Sequence, residues 1–274
     1  MSEKQILLTN DDGIRSPGLW AAAEALDELG FVTVVAPREQ SSGTGRSMPN
    51  TSDGKIHPEQ VEVNGKKWTV HAVGGTPAQA VLHGILEIIP RKPDLVVSGI
   101  NYGLNVGTGI TVSGTVGAAL EGGSAGIPSL AVSLDTHHKY HLTYSDEVDF
   151  NSAAHFTAFF ARILLNREMP DDVDVLKVEI PENSTPETPW EITRLSPVRY
   201  YTAVPPDRSQ NPEEGRIGYR VADDWHTTPP KTDVHAVQIK KVISVTPLSL
   251  DLTSRVDLEA FEQAGMVASG KNPD

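Results

Sequence analysis

Two adjacent carboxylates follow a short apolar run near the start of this 274-residue chain, in Ile6-Leu7-Leu8-Thr9-Asn10-Asp11-Asp12-Gly13. The apolar part can pair as a buried strand. The polar part cannot continue it, because Asn and Asp compete for ladder hydrogen bonds and Gly supplies a turn. Two acids at the tip of a buried strand are costly unless a cation compensates them. Taken alone, Asn10-Asp11-Asp12-Gly13 fits a solvated Asp-Gly turn as well as it fits a metal site. Related chemistry recurs downstream: Ser41-Ser42 in a Ser- and Gly-rich loop, Asn101 after Leu95-Val96-Val97-Ser98, and Ser113-Gly114-Thr115 ahead of Ala118 and Ala119. Asp, Ser and Asn together form an all-oxygen set. That set suits Mg²⁺, Mn²⁺ or Ca²⁺ and does not suit structural zinc. Ser113-Gly114-Thr115 can offer backbone N–H groups and hydroxyls to a phosphate, and it reads equally as an ordinary helix cap.

These residues must be positioned by elements that the spacing predicts. After the acidic turn, Ser16 as N-cap and Pro17 at the first position open a helix carrying Leu19, Ala22, Ala23, Leu26 and Leu29, ended by Gly30. Phe31 to Ala36 is a buried strand stopped by Pro37, so strand, helix and strand form a βαβ unit with parallel strands. A polar loop spans residues 37–55. A hairpin turns at Asn64-Gly65, and a helix follows Thr76-Pro77 with Val81, Leu82, Ile85 and Ile89 on its buried side. Pro93 to Asn101 and Pro128 to Leu134 are further buried strands, flanking a helix that begins after Ser113. Asp149 to Leu165 is a helix and Val173 to Ile180 a strand; beyond Pro181, Trp190 to Thr193, Ala236 to Ile239 and Val242 to Leu248 are expected strands. Residues 204–233 lack periodicity and are expected to form an extended arm, and Val256 to Gln263 a short last helix.

The expected architecture is a three-layer, Rossmann-like α/β fold with a mostly parallel sheet, followed by an extended arm or β-hairpin region and a terminal helix. Residues 1–181 form the core carrying the site, and residues 182–274 the C-terminal strands, arm and helix, suited to oligomerisation. In an open parallel sheet, ligands bind outside the carboxyl ends of the strands near the switch in strand order. That rule brings the Asp11-Asp12, Ser41-Ser42 and Asn101 tips to one edge.

Composition excludes several classes. A net charge of −13 argues against a nucleic-acid polymer or an anionic membrane as partner, though not against a small anionic substrate. Zero cysteines exclude disulfides and thiolate sites. The lack of a long apolar run and of a signal-like start leads to the expectation of a cytoplasmic protein. Neither Gly43-Thr44-Gly45-Arg46-Ser47-Met48 nor Gly107-Thr108-Gly109-Ile110-Thr111-Val112 completes a dinucleotide fingerprint, and no Gly-Lys-Ser/Thr phosphate loop exists. His137, His138 and His141 lie in a polar connector and are expected as solvated loop histidines.

Thr9-Asn10-Asp11-Asp12-Gly13, Val35-Ala36-Pro37 with Ser42-Gly43-Thr44-Gly45, Gly75-Thr76-Pro77, Ser98-Gly99-Ile100-Asn101-Tyr102-Gly103-Leu104-Asn105 and Ser113-Gly114-Thr115 occur here in order. With the later Thr232-Asp233 and Ser244-Val245-Thr246-Pro247-Leu248, they make nearly the whole chain resemble SurE, the survival-protein-E nucleotidases. The resemblance implies a metal-dependent phosphatase of nucleoside 5′- and 3′-monophosphates, with short polyphosphate as a further substrate. It implies Asp11, Asp12, Ser42 and Asn101 as ligands of one divalent cation, Mg²⁺ or Mn²⁺, with Ca²⁺ able to stand in. Asn10, Asn105, Ser113, Gly114 and Thr115 are the expected substrate contacts, and Asp11 or Asp12 assists as base. It also implies a homodimer or homotetramer whose C-terminal arms exchange. Gln79-Ala80, Lys177, Glu179 and Lys240-Lys241 depart from the family pattern and touch none of the proposed ligands. Two other readings stay open: a covalent aspartyl-phosphate phosphatase, which acid-quench trapping would reveal, and a nucleotide sensor without turnover, whose mark would be a missing ligand.

Overall fold

The computed structural model describes residues 3–263 except 142, 143, 146, 209–214 and 216. Its strands are β1 (Gln5–Thr9), β2 (Phe31–Pro37), β3 (Ile56–Val63), β4 (Lys66–Val73), β5 (Leu95–Tyr102), β6 (Ser129–Leu134), β7 (Val175–Ile180), β8 (Trp190–Ile192), β9 (Tyr201–Val204), β10 (Gly218–Val221) and β11 (Ile243–Leu248). Its helices are α1 (Pro17–Asp27), α2 (Pro77–His83), α3 (Gly114–Ser124), α4 (Asn151–Asn166) and α5 (Leu258–Gln263).

Nine strands form one sheet in the order β3-β4-β2-β1-β5-β6-β7-β11-β8. From β4 to β7 every neighbour is parallel, while β3 and β11 run antiparallel to β4 and β7. The apolar runs explain this centre. Successive side chains of a strand face opposite ways, so a strand covered on both sides must be apolar throughout. Ile6 and Leu8 pack in the core shared with α1 and α4, whereas Leu7 packs with Val81 and Ala118 on the α2 and α3 side. Two helices thus cover each face, and the expected three-layer α/β fold is present. The strand order reverses between β1 and β5, which makes their carboxyl ends the crevice of the sheet.

Asn64 and Gly65 both adopt positive φ, 47° and 81°, as the tight β3–β4 turn requires. Pro17 starts α1 as expected, but Ser16 makes no side-chain cap bond there. Thr76 and Gln79 form a reciprocal capping box on α2.

One expected strand is absent. Ala236 to Ile239 lies in a wide helical turn, His235–Lys240, not in the sheet. Ala236 N donates to Thr232 O (2.9 Å) and Val234 N to Asp233 Oδ1 (2.9 Å), so local hydrogen bonds start a turn there. Tertiary burial of Val234, Ala236 and Val237 then outweighs the strand propensity of Val and Ile. The expected arm holds β9 and β10 as an antiparallel two-stranded ribbon, with 209–214 and 216 outside the described residues. β8 and β11, from beyond residue 181, extend the core sheet itself. Among the described residues no helix is long and apolar enough to cross a membrane.

Candidate active site at the strand switch

Where β1 ends, the chain turns on Asn10. Its Nδ2 donates to Gly13 O and its Oδ1 accepts from Gly13 N, each at 3.1 Å, so both ends of the amide are engaged within the turn. The turn carries Asp11 and Asp12, 4% and 2% exposed. The solvated-turn alternative is therefore closed. Asp11 Oδ1 accepts from Thr115 Oγ1 (2.5 Å), and the carboxylate lies against the first turn of α3: a Cβ on Gly114 would be 2.7 Å from Asp11 Cβ. Asp12 is held more loosely. Its Oδ1 takes Gln40 Nε2 at 3.4 Å and its Oδ2 takes Tyr102 N at 3.3 Å, while Tyr144 Oη donates to its backbone carbonyl (2.9 Å).

The Ser-rich loop is brought to this point by its backbone. Ser41 N donates to Asp11 O (2.7 Å) and Gly45 N to Val112 O (3.0 Å), which ties the segment on either side of the exposed Ser42 to Asp11 and to the residue preceding Ser113. Arg46 Nε pairs with Glu121 Oε2 (2.6 Å), and Gln79 Nε2 donates to Pro49 O (3.0 Å), tying the loop to α3 and α2. Gly117 makes the approach possible, since a Cβ there would be 2.4 Å from the Gly45 backbone. Gly117→Ala is expected to push the Ser42 loop outward and lower phosphate release by roughly 10²-fold, because a displacement of about 1 Å at a positioned group costs that much. Circular dichroism should show the variant folded; full activity would separate the loop from the site.

Ser113 Oγ accepts from Val116 N (3.1 Å) and caps α3, so the cap reading is correct for its hydroxyl. Asn101 sits after a register shift in the β5–β6 ladder between Ser98 and Asn101, a bulge that re-aims the strand end. Its Nδ2 donates to Tyr102 O (3.2 Å) and Gly103 O (2.7 Å), which leaves Oδ1 as the end free to face a ligand. Asn105 lies deeper on the same loop, with Nδ2 donating to Ser133 Oγ (3.0 Å).

Burial raises the pKa of Asp11, and it raises that of Asp12 well above the carboxylate range, with the Asp11 charge adding to the effect. Among the described residues no ion pair reaches either acid. Nor do three His, Cys, Asp or Glu residues converge anywhere. A cation here must therefore draw on amide and hydroxyl oxygens besides the two acids. Two buried carboxylates with neutral donors alone, beside a free amide oxygen, fit a hard divalent ion.

Sequence reasoning missed Gln40 and Tyr144, which hold Asp12, although Gln40 directly precedes the Ser41-Ser42 pair. It also read His141 as solvated. His141 is partly buried, with Nε2 near Thr136 O and Nδ1 near Tyr219 Oη, both at 3.1 Å, and burial lowers its pKa.

Residues 6–202 match the family model described as Survival protein SurE. A protein of Thermococcus gammatolerans named 5′-nucleotidase SurE is 44% identical over 260 residues, covering 94% of each chain. One of Methanococcoides burtonii with the same name is 41% identical over 265 residues, covering 94% of this chain and 98% of its own. The crystal structure of the SurE protein from Aquifex aeolicus aligns with a TM-score of 0.73 at 35% identity, covering 95% of this chain and 99% of that one.

Proposed function

This chain belongs to the survival protein SurE family, and we propose that it is a hydrolase releasing phosphate from nucleoside 5′-monophosphates. The observation that carries the reading is the pair of buried carboxylates at the strand switch, unpaired with any described cation, of which Asp11 lies against the first turn of α3. We extend it to a divalent-metal-dependent enzyme that also accepts 3′-monophosphates and short polyphosphate. Asp11, Asp12, Ser42 and Asn101 Oδ1 would hold one Mg²⁺ or Mn²⁺. When bound, the ion supplies Lewis-acid stabilisation of phosphoryl charge and acidifies water.

The remaining work falls to the chain's own groups. Backbone N–H groups of Gly114 and Thr115, at the positive end of α3, face the Asp11 carboxylate and favour its ionised form. The positive end of α3 as a whole opposes the charge that builds on phosphoryl oxygens. Asp11 is committed to Thr115, whereas Asp12 has the longer contacts, so we assign Asp12 the proton transfer. Asn10 holds the turn through one N–H and its oxygen, and its second N–H is the group we assign to substrate. Exposed Ile217, Tyr219 and Val221 on and beside β10 support the exchange of C-terminal arms in a homo-oligomer.

The test is phosphate release from a panel of nucleoside 5′- and 3′-monophosphates with Mn²⁺ or Mg²⁺, and again with EDTA. Turnover of 5′-monophosphates that EDTA abolishes is expected. No release from any nucleotide would overturn the activity, and release untouched by EDTA would overturn the metal.

A further inference from the structure

Beside the candidate site lie three charged side chains that the proposed reaction does not use. Lys177 and Glu179 come from β7 and Asp233 from the C-terminal segment, and all three side chains are 0% exposed. Lys177 Nζ lies 3.3 Å from Glu179 Oε1 and 3.2 Å from Asp233 Oδ2. Buried ions of this kind are seldom retained for stability, since well-packed apolar residues usually do as well or better.

What the cluster holds is backbone. Lys177 Nζ donates to Asn105 O (2.9 Å), Glu179 Oε2 accepts from Asn105 N (2.8 Å) and Asp233 Oδ2 accepts from Gly107 N (2.8 Å). Ser133 Oγ donates to Glu179 Oε1 (3.2 Å) and accepts from Asn105 Nδ2 (3.0 Å), which sets the rotamer of that side chain as well. The anchored loop runs from Asn101 to Ser113, from the proposed metal side of the site to its phosphate side. Gly107 begins the tight turn Gly107–Val112 that leads directly into α3.

We propose that Lys177, Glu179 and Asp233 are positioning residues for the substrate phosphate. They fix loop 103–107 so that the Asn105 side chain addresses the phosphate beside the start of α3. This rests on the phosphatase reading above. It also gives the C-terminal segment a part in the site, because Asp233 joins that segment to the loop.

The chemistry at Asp233 is specific. Its two oxygens accept from four donors: Ser196 N, Val234 N, Gly107 N and Lys177 Nζ. An amide must turn its NH₂ towards two of them, so Asp233→Asn loses an anchor in either orientation. Ser133→Ala is the milder probe, leaving the three charged side chains and their backbone anchors in place and removing only the hydroxyl bridge from Glu179 to the Asn105 side chain.

Both variants are compared with wild type for kcat and KM on a nucleoside 5′-monophosphate with Mn²⁺, for competitive inhibition by inorganic phosphate, and for Tm. For Asp233→Asn, kcat/KM is expected to fall on the order of 10²-fold, mostly through KM, with phosphate inhibition weakening in parallel. Ser133→Ala should shift both in the same direction by less, at near-wild-type Tm. A purely structural role would lower Tm and the folded fraction but leave KM and phosphate inhibition of the folded molecules unchanged. Ser133→Ala with wild-type KM and phosphate inhibition would overturn the proposal, whether or not Asp233→Asn folds. Calorimetric titration of inorganic phosphate into the same proteins separates the two readings. Phosphate bound by wild type and weakened in the variants, with no nucleotide turnover in any, would overturn the nucleotidase reading and keep this one.

Discussion

Asp11→Asn and Asp12→Asn are each expected to lower kcat/KM for a nucleoside monophosphate by at least about 10³-fold, roughly 4 kcal/mol of transition-state stabilisation. The size follows from position. Each acid is almost wholly buried, each is half of the negative charge that the proposed site offers a cation, and no described cationic side chain pairs with either. The metal-free proteins should behave in the opposite sense. Burial and the Asp11 charge make ionised Asp12 unfavourable in the folded state, so neutral Asn removes a cost. Asp12→Asn should therefore unfold at a Tm no lower than wild type at pH 8 in EDTA, while losing turnover with Mn²⁺. Activity within a few-fold of wild type would remove the paired acids from the site. A collapse of Tm would mean that their role is structural.

The contribution of Glu179 to the stability of the metal-free protein should fall as pH rises from about 4.5 to 7, against the direction of ordinary acid denaturation. Glu179 sets the window. Burial lifts its pKa from 4.5 to about 7, against the opposing pull of Lys177 and with the Asp233 charge adding to the rise. A raised carboxyl pKa means that the folded state binds the proton more tightly than the unfolded chain. No penalty exists below about 4.5; it grows as the unfolded carboxyl ionises and is complete above about 7. A difference of about 2.5 pKa units corresponds to about 3 kcal/mol, a large part of the net stability of any domain. Asp11, Asp12 and Asp135 shift in the same direction, with burial the first cause in each. Asp53, Asp94, Glu147, Asp223, Asp251, His71 and His141 shift downward and oppose them, so the Glu179 contribution is read as a difference. Urea unfolding across this range in EDTA should show wild type losing stability relative to Glu179→Gln as pH rises. Added Mn²⁺ should restore stability chiefly at the upper end, where its acidic ligands are ionised. A difference between wild type and Glu179→Gln that is flat or rises with pH would contradict the assignment.

Most of the scaffold was legible because its signals are local. Leu95-Val96-Val97 can be little other than a doubly covered strand, and Asn64-Gly65 little other than a tight turn. The polar strand ends followed from the same patterns, so Asp11, Asp12 and Asn101 were identified as candidates before any contact was known. The failures share a cause. Ala236 to Ile239 carries strand residues, yet Asp233 and Thr232 start a turn whose burial decides the matter. His141 lies in a polar connector, yet Tyr219, in the distant arm, lies within hydrogen-bonding distance of it.

By itself, the sequence determined the alternation of strands and helices, the identity of the residues at the strand tips and the all-oxygen character of the donor set. Periodicity, turn chemistry and ligand type depend on neighbours within a few positions. Only the tertiary structure decided that Asp11 and Asp12 are buried without a cationic partner, that Asp11 is taken by Thr115 while Asp12 is left freer, and that Lys177, Glu179 and Asp233 meet behind Asn105. Burial and partner choice are properties of groups that the chain brings together from tens of positions apart, and no local pattern encodes them.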